Sequence, residues 1–210
     1  MNSKLIWGKH SPLSALSGAG LLIMASSRLA FAVFCSGGIL WVYSLTALLF
    51  YSAEKFMPRK GKFFIYLFFI SLFCSMYILI MSFLNPILLS ASWFFLVLIP
   101  PCFIGSRLFA ASETREIEIQ EILLKIAVEA AFLCILLIAI SLIREPLGIG
   151  SLSFPGGSYG IIEIFSPRED GEGFVPIRLL SASAGGLLIL GLCVSAFQYL
   201  KNQISHREDE

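Results

Sequence analysis

Phe63-Phe64-Ile65-Tyr66-Leu67-Phe68-Phe69-Ile70-Ser71-Leu72-Phe73-Cys74-Ser75-Met76-Tyr77-Ile78-Leu79-Ile80-Met81-Ser82-Phe83 runs 21 residues without one charged side chain. A helix needs roughly 20 such residues to cross the hydrocarbon core of a bilayer. Apolar and polar positions do not alternate along it, as they would in a membrane β-strand. In lipid the backbone must satisfy its own hydrogen bonds, so the expected conformation is helical.

Outward from this run the pattern repeats. Apolar stretches cover about Pro12–Ser27, Leu29–Tyr51, Ile87–Ala110, Ile119–Ile143 and Leu179–Leu200, which with Phe63–Phe83 makes six expected spans. The first is short and loosened by Gly18 and Gly20, and the fourth is interrupted by Pro100 and Pro101. The first run lacks a small-residue cleavage site and precedes further spans, so it reads as a span and not as a cleaved signal. The fold class expected is therefore an all-α integral membrane protein, one domain over residues 1–210.

Composition agrees. The chain is 57% hydrophobic and 14% charged, against about a quarter charged in a soluble domain. A net charge of +1 offers no basic field for nucleic acid. Both histidines, His10 and His206, lie in the terminal tails, which argues against a histidine-based site within the membrane. The five cysteines, Cys35, Cys74, Cys102, Cys134 and Cys193, fall in apolar runs with no CxxC pair. Most read as small buried hydrophobes.

Orientation follows from Lys and Arg. Lys4, Lys9, Lys55, Arg59, Lys60, Lys62, Arg115, Lys201 and Arg207 fall on one side, against Arg28, Arg144, Arg168 and Arg178 on the other. Nine against four places both termini in the cytoplasm. The connection of residues 144–178 then lies outside. It is rich in Gly and Pro, and Ile161–Phe165 reads as a short strand or an amphipathic turn.

Ser27-Arg28-Leu29-Ala30 follows the weak first helix, and Ser106-Arg107-Leu108-Phe109-Ala110 follows the interrupted fourth. Three spans per half force opposite orientations, so the halves, about 11–84 and 86–200, are expected to form an inverted repeat with broken first and fourth helices. Such breaks commonly mark a site near the membrane midplane.

Three groups of residues carry candidate chemistry. Cys102 follows the proline pair, where a thiolate can ligate a soft metal or simply sit in a kinked helix. Glu121, Lys125 and Glu129 share one face of the fifth helix. Lys125 and Glu129 read either as part of an ion path or as a neutralised pair near the interface. Arg144-Glu145-Pro146-Leu147-Gly148-Ile149-Gly150-Ser151-Leu152 closes that helix, with Pro146 expected to stop it and Gly148 and Gly150 to permit a tight turn.

That last stretch resembles the Arg-Glu-x-x-Gly-x-Gly-Thr-Leu signature of the Rnf/Nqr membrane subunits, Rnf subunits A and E and Nqr subunits D and E. The Cys102 segment, with Gly105 and Arg107, resembles their fourth-helix Asn-Cys motif. The Gly-rich last helix from Ser183-Ala184-Gly185-Gly186 also fits. The resemblance implies six spans in two inverted three-helix repeats. It also implies a homologous membrane partner of opposite topology, flavin-bearing and ferredoxin-like subunits, and an iron–sulfur cluster shared across the pair. The implied function is electron transfer across the membrane coupled to Na⁺ or H⁺ movement. The cytoplasmic termini match the E-type Rnf subunit better than the A-type. The chain departs from the family at the first-helix cysteine, where register puts Ala19 or Ile23, so Cys102 supplies at most one cluster ligand. The alternative implied is a transporter or structural subunit that keeps the fold without a redox centre.

Overall fold

The computed structural model describes residue 20 and residues 22–53, 61–102, 119–156, 160–165 and 177–208. The chain is mostly helical, and among the described residues three helices contain stretches long and apolar enough to cross a membrane: Leu29–Leu49, Phe63–Leu84 and Ile126–Gly148. Two shorter apolar helical stretches, Pro86–Cys102 and Ser183–Ala196, accompany them.

The first described element is a 3-10 helix, Ile23–Ser27, that ends at Arg28 in extended backbone (φ −134°, ψ 143°). Helix α1, Leu29–Ala53, starts immediately after it. Helix α2, Lys62–Leu84, returns the chain and ends at Asn85, whose amide donates to the Met81 carbonyl at 2.8 Å. Helix α3, Pro86–Val97, begins with proline at its first position, where no intrahelical amide is needed.

The fourth apolar run breaks as expected, but two residues ahead of the prolines. Leu98 leaves the helix with a 3-10-type bond to Phe95 O at 3.2 Å, and α4, Ile99–Cys102, restarts. Pro100 and Pro101 thereby fall in the first turn of a new helix, where their missing amides cost little.

Helix α5, Ile119–Gly148, is the longest. It runs through Pro146, contrary to the expectation that this proline stops it. Only the final turn lies beyond Pro146, so a single i→i−4 bond is forfeited. The end is closed instead by Ile149 N–H to Glu145 O at 2.9 Å and by Gly150 N–H to Glu145 O and Pro146 O at 3.2 and 3.1 Å. Gly150 has φ +80°, the left-handed position that favours glycine after a helix.

Strands β1, Leu152–Pro155, and β2, Ile161–Phe165, form an antiparallel hairpin, the strand alternative for the latter segment. Ser153 faces Glu163, Phe154 faces Ile162 and Pro155 faces Ile161. The final apolar run is not one helix. Helix α6, Arg178–Ser181, is separated by extended Ala182 (φ −74°, ψ 155°) from α7, Ser183–Glu208.

Helix α1 is the centre of the packing, lying mainly against α5 and α2, with the hairpin over its start. Gly37 and Gly38 allow this closeness. A Cβ on Gly37 would meet the Tyr77 hydroxyl at 2.9 Å, and one on Gly38 would meet Ile99 Cδ1 at 2.9 Å. Tyr77 Oη in turn donates to the Phe34 carbonyl at 2.9 Å. The main core gathers Phe34, Ile39, Tyr66, Ile70, Leu88, Leu96 and Leu133, whereas Ile23, Ile140 and Ile189 form a separate small cluster. Helix α2 is the least enclosed of these three helices and exposes Phe64, Phe68, Leu79 and Phe83.

Candidate functional site

The Arg144–Gly150 stretch organises one end of the bundle. Arg144 lies about one turn from the end of the apolar stretch Ile126–Gly148 and is 2% exposed. Its guanidinium has five N–H donors in a fixed fork. Nε donates to Leu180 O at 2.7 Å. Nη1 donates to Ile23 O and Ser26 Oγ, both at 3.0 Å. Nη2 donates to Ser181 O at 2.9 Å and Ala182 O at 2.8 Å.

These acceptors explain why the neighbouring helices are broken. The 3-10 helix and the Ala182 break each release carbonyls that a continuous helix would have satisfied, and a buried carbonyl needs a donor. Arg144 donates to both breaks at once, alongside the Ser26 hydroxyl on Ile23 O and the Gly185 and Gly186 amides on Ala182 O. With all five hydrogens committed, the guanidinium has none left for a substrate, an anion or an ion path. Its role here is to join the first and last apolar segments.

Glu145 points elsewhere. It is fully buried, and Oε2 accepts the Leu29 amide at 2.6 Å, capping α1. Ser153 Oγ of β1 accepts the Ala30 amide at 3.4 Å. Phe31 and Ala32 amides both reach Arg28 O at 3.1 Å. The first turn of α1 is therefore satisfied internally, and the helix N-terminus is closed to an anion. The second carboxylate oxygen of Glu145 is buried without a hydrogen-bond partner, as are the hydroxyls of Ser141 and Ser151.

The two glycines of the motif have different duties. Gly148 is helical, and a Cβ there would lie 2.8 Å from Ser181 N and 3.0 Å from Leu180 C, so glycine lets α5 touch the α6 backbone. Gly150 supplies the positive φ of the turn. Gly186 of α7 completes the arrangement: a Cβ there would press on Arg144 Nη1 at 2.9 Å and Cζ at 3.2 Å. Sequence reasoning placed Gly186 in a Gly-rich helix but did not link it to Arg144.

The remaining candidates stand apart from this corner. Glu129 is 1% exposed on α5, with Tyr43 of α1 as an electrostatic neighbour. Lys125 lies one turn earlier on the same helix, and its side chain falls outside the described residues, as does that of Glu121. Arg107 and Gly105 also lie outside the described residues. Cys102 is buried, and its thiol donates to the Leu98 carbonyl at 3.0 Å, one turn back on the broken helix.

The iron–sulfur cluster that the resemblance implies would be shared between two subunits, with Cys102 as the ligand offered by this chain. Among the described residues no group of three or more His, Cys, Asp or Glu side chains is placed to hold a metal. Ile23, at one of the two positions where a first-helix ligand is expected, packs against Ile140 and Ile189 and has no donor atom. Cys102 belongs to the other core cluster. Ala19, the other position, lies outside the described residues. Comparison with known protein families and with curated proteins finds no match to this chain.

Proposed function

We propose that the chain is a six-span bacterial inner-membrane subunit of an Rnf/Nqr-like ion-translocating electron-transport complex. It would pair there with a homologous subunit of opposite topology, alongside flavin-bearing and ferredoxin-like subunits. The observation that carries the reading is the geometry of Arg144, Glu145, Gly148 and Gly150. The four residues that carry the resemblance each have a separate task in closing one end of a bundle of broken helices. A motif tied to broken helices belongs with folds in which unwound backbone is held by protein at membrane depth. In this reading the chain supplies the helical frame and at most one thiolate, Cys102, to a redox centre completed by its partner.

One observation favours a second reading, a transporter-like or structural subunit that keeps the fold without a redox centre. Cys102 donates to its own helix, and the Ile23 position offers no ligand. Purification in mild detergent under strict exclusion of oxygen, with iron and acid-labile sulfide assayed, separates the two. Iron and sulfide travelling with a homologous partner support the redox complex. A stable preparation with neither iron nor partner supports the second reading and removes the first.

A further inference from the structure

The β1–β2 hairpin exposes an apolar face. Directly opposed residues of an antiparallel pair point to the same side. Ser153 and Glu163 form one such pair, and both engage the protein: Ser153 is buried against the start of α1, and Glu163 Oε1 lies 3.3 Å from Arg28 Nη1. Ile161, two residues from Glu163 on the same face, packs against the main core. The opposite face holds Phe154 and Ile162, which also oppose each other, and Ile164. These three are 39%, 50% and 58% exposed. A half-buried hairpin bathed in water shows the reverse, apolar side chains inward and polar ones outward.

The apolar face does not end at the hairpin. A Cβ on Gly160 would meet Ile87 Cγ2 at 2.9 Å, so the hairpin leans on the start of α3. Ile87 is itself exposed and lies at the α2–α3 corner with exposed Phe83 and Leu84. Apolar surface thus continues from the lipid-facing corner of the helices onto the hairpin. Three side chains fall far short of the roughly 20–30 residues a side that a stable protein interface uses. They also bring no hydrogen-bonding group to select a protein partner.

We infer that the outer face of the hairpin lies in the membrane interface, with Phe154, Ile162 and Ile164 inserted among lipid chains just below the headgroups. The depth is limited. A two-stranded hairpin has open edges whose amides and carbonyls need water or headgroups, which the hydrocarbon centre does not offer. An amphipathic element at the headgroup boundary typically buries its apolar face by about 5–10 Å. The Arg28–Glu163 pair, partly exposed on the other face, sits at the polar level. The inference rests on the membrane reading above, and the test separates the two.

The full-length protein is reconstituted into phosphatidylcholine vesicles brominated either near the glycerol end or near the methyl end of the acyl chains. Tryptophan emission of Ile164→Trp and Phe154→Trp is compared with the unsubstituted chain, whose three tryptophans set the baseline. Leu72→Trp, at the exposed middle of α2, is the internal control. The expected result is a blue-shifted signal at both hairpin positions, quenched most by the shallow bromines, with Leu72→Trp quenched most by the deep ones. If Leu72→Trp is quenched while both hairpin variants respond only to iodide in the buffer, the hairpin inference is overturned and the membrane reading stands. If no variant is quenched by lipid, both are overturned.

Discussion

Removing the guanidinium of Arg144 tests the central structural claim. Arg144→Met keeps the length and apolar stem of the side chain and withdraws five donors from Ile23 O, Ser26 Oγ, Leu180 O, Ser181 O and Ala182 O. A buried polar group left without its partner costs about 1–3 kcal/mol. Ile23 O keeps the Ser26 hydroxyl and Ala182 O keeps the Gly185 and Gly186 amides, so the loss falls on the carbonyls Leu180 O and Ser181 O. Those two put the loss at roughly 2–6 kcal/mol by the same measure. Relief of the buried charge and entry of water offset part of this, so the lower end, about 2 kcal/mol, is expected. For a chain of this size each kcal/mol lowers the melting temperature by about 2–4 °C, giving a drop of roughly 4–8 °C. Arg144→Lys keeps the charge but has three donors and no fork, so it serves part of the five acceptors and a smaller drop of roughly 2–4 °C is expected. The protein contains its own reporter. Cys35, Cys74, Cys102 and Cys134 are buried, so their reaction with a fluorogenic maleimide during heating in detergent follows unfolding. Cys193, partly exposed, is first replaced by Ala to remove the background. Melting within about 2 °C of the parent for both variants would show that Arg144 does not hold the two breaks.

Glu145→Gln retains an oxygen for the Leu29 amide and is expected to melt above Glu145→Ala, which loses a cap worth about 0.5–2 kcal/mol; equal melting would remove the capping role. Gly186→Ala is expected to cost about 1–3 kcal/mol by pressing its methyl on Arg144. In the Arg144→Met background that cost shrinks, because the two positions act through one contact, and strict additivity would refute the coupling. Gly150→Ala forces an L side chain into the left-handed region and is expected to cost about 1–2 kcal/mol, read from the same maleimide melt. Glu129→Gln keeps the shape of a buried side chain on α5 and removes its charge. Ion flux into proteoliposomes is expected to fall, and unchanged flux takes Glu129 out of any ion path.

Local chemistry made part of this architecture readable in the sequence. Uncharged apolar runs announced the long helices, the Pro100–Pro101 pair announced an interruption, and the glycine spacing announced the turn at Gly150. The rest depended on partners far along the chain. The break at Ala182 is held by Arg144, 38 positions earlier, and Gly185, three residues beyond it, leaves the room that the Leu179–Leu180 backbone needs. Counting Lys and Arg to orient the helices treats Arg144 as a solvated charge, and only its five acceptors show why it is buried. Pro146 was expected to end α5 because a proline inside a helix usually does. One residual turn, closed through Gly150, was enough to carry the helix past it. Glu145 was legible only as the residue next to Arg144, and the structure gives the two side chains different partners.

The capping of α1 has a consequence for biogenesis. Its first amides are closed by Glu145 and Ser153, which lie 116 and 123 residues later. In the membrane reading proposed above, α1 would enter the bilayer as the chain emerges from the ribosome, long before its cap exists. Its leading turn must be met by water, headgroups or an insertion factor until α5 and the hairpin arrive. Long-range closures of this kind form late. The two halves of the sequence are thus not separable folding units, whatever their ancestry: the opening helix becomes complete only when the second half has been made.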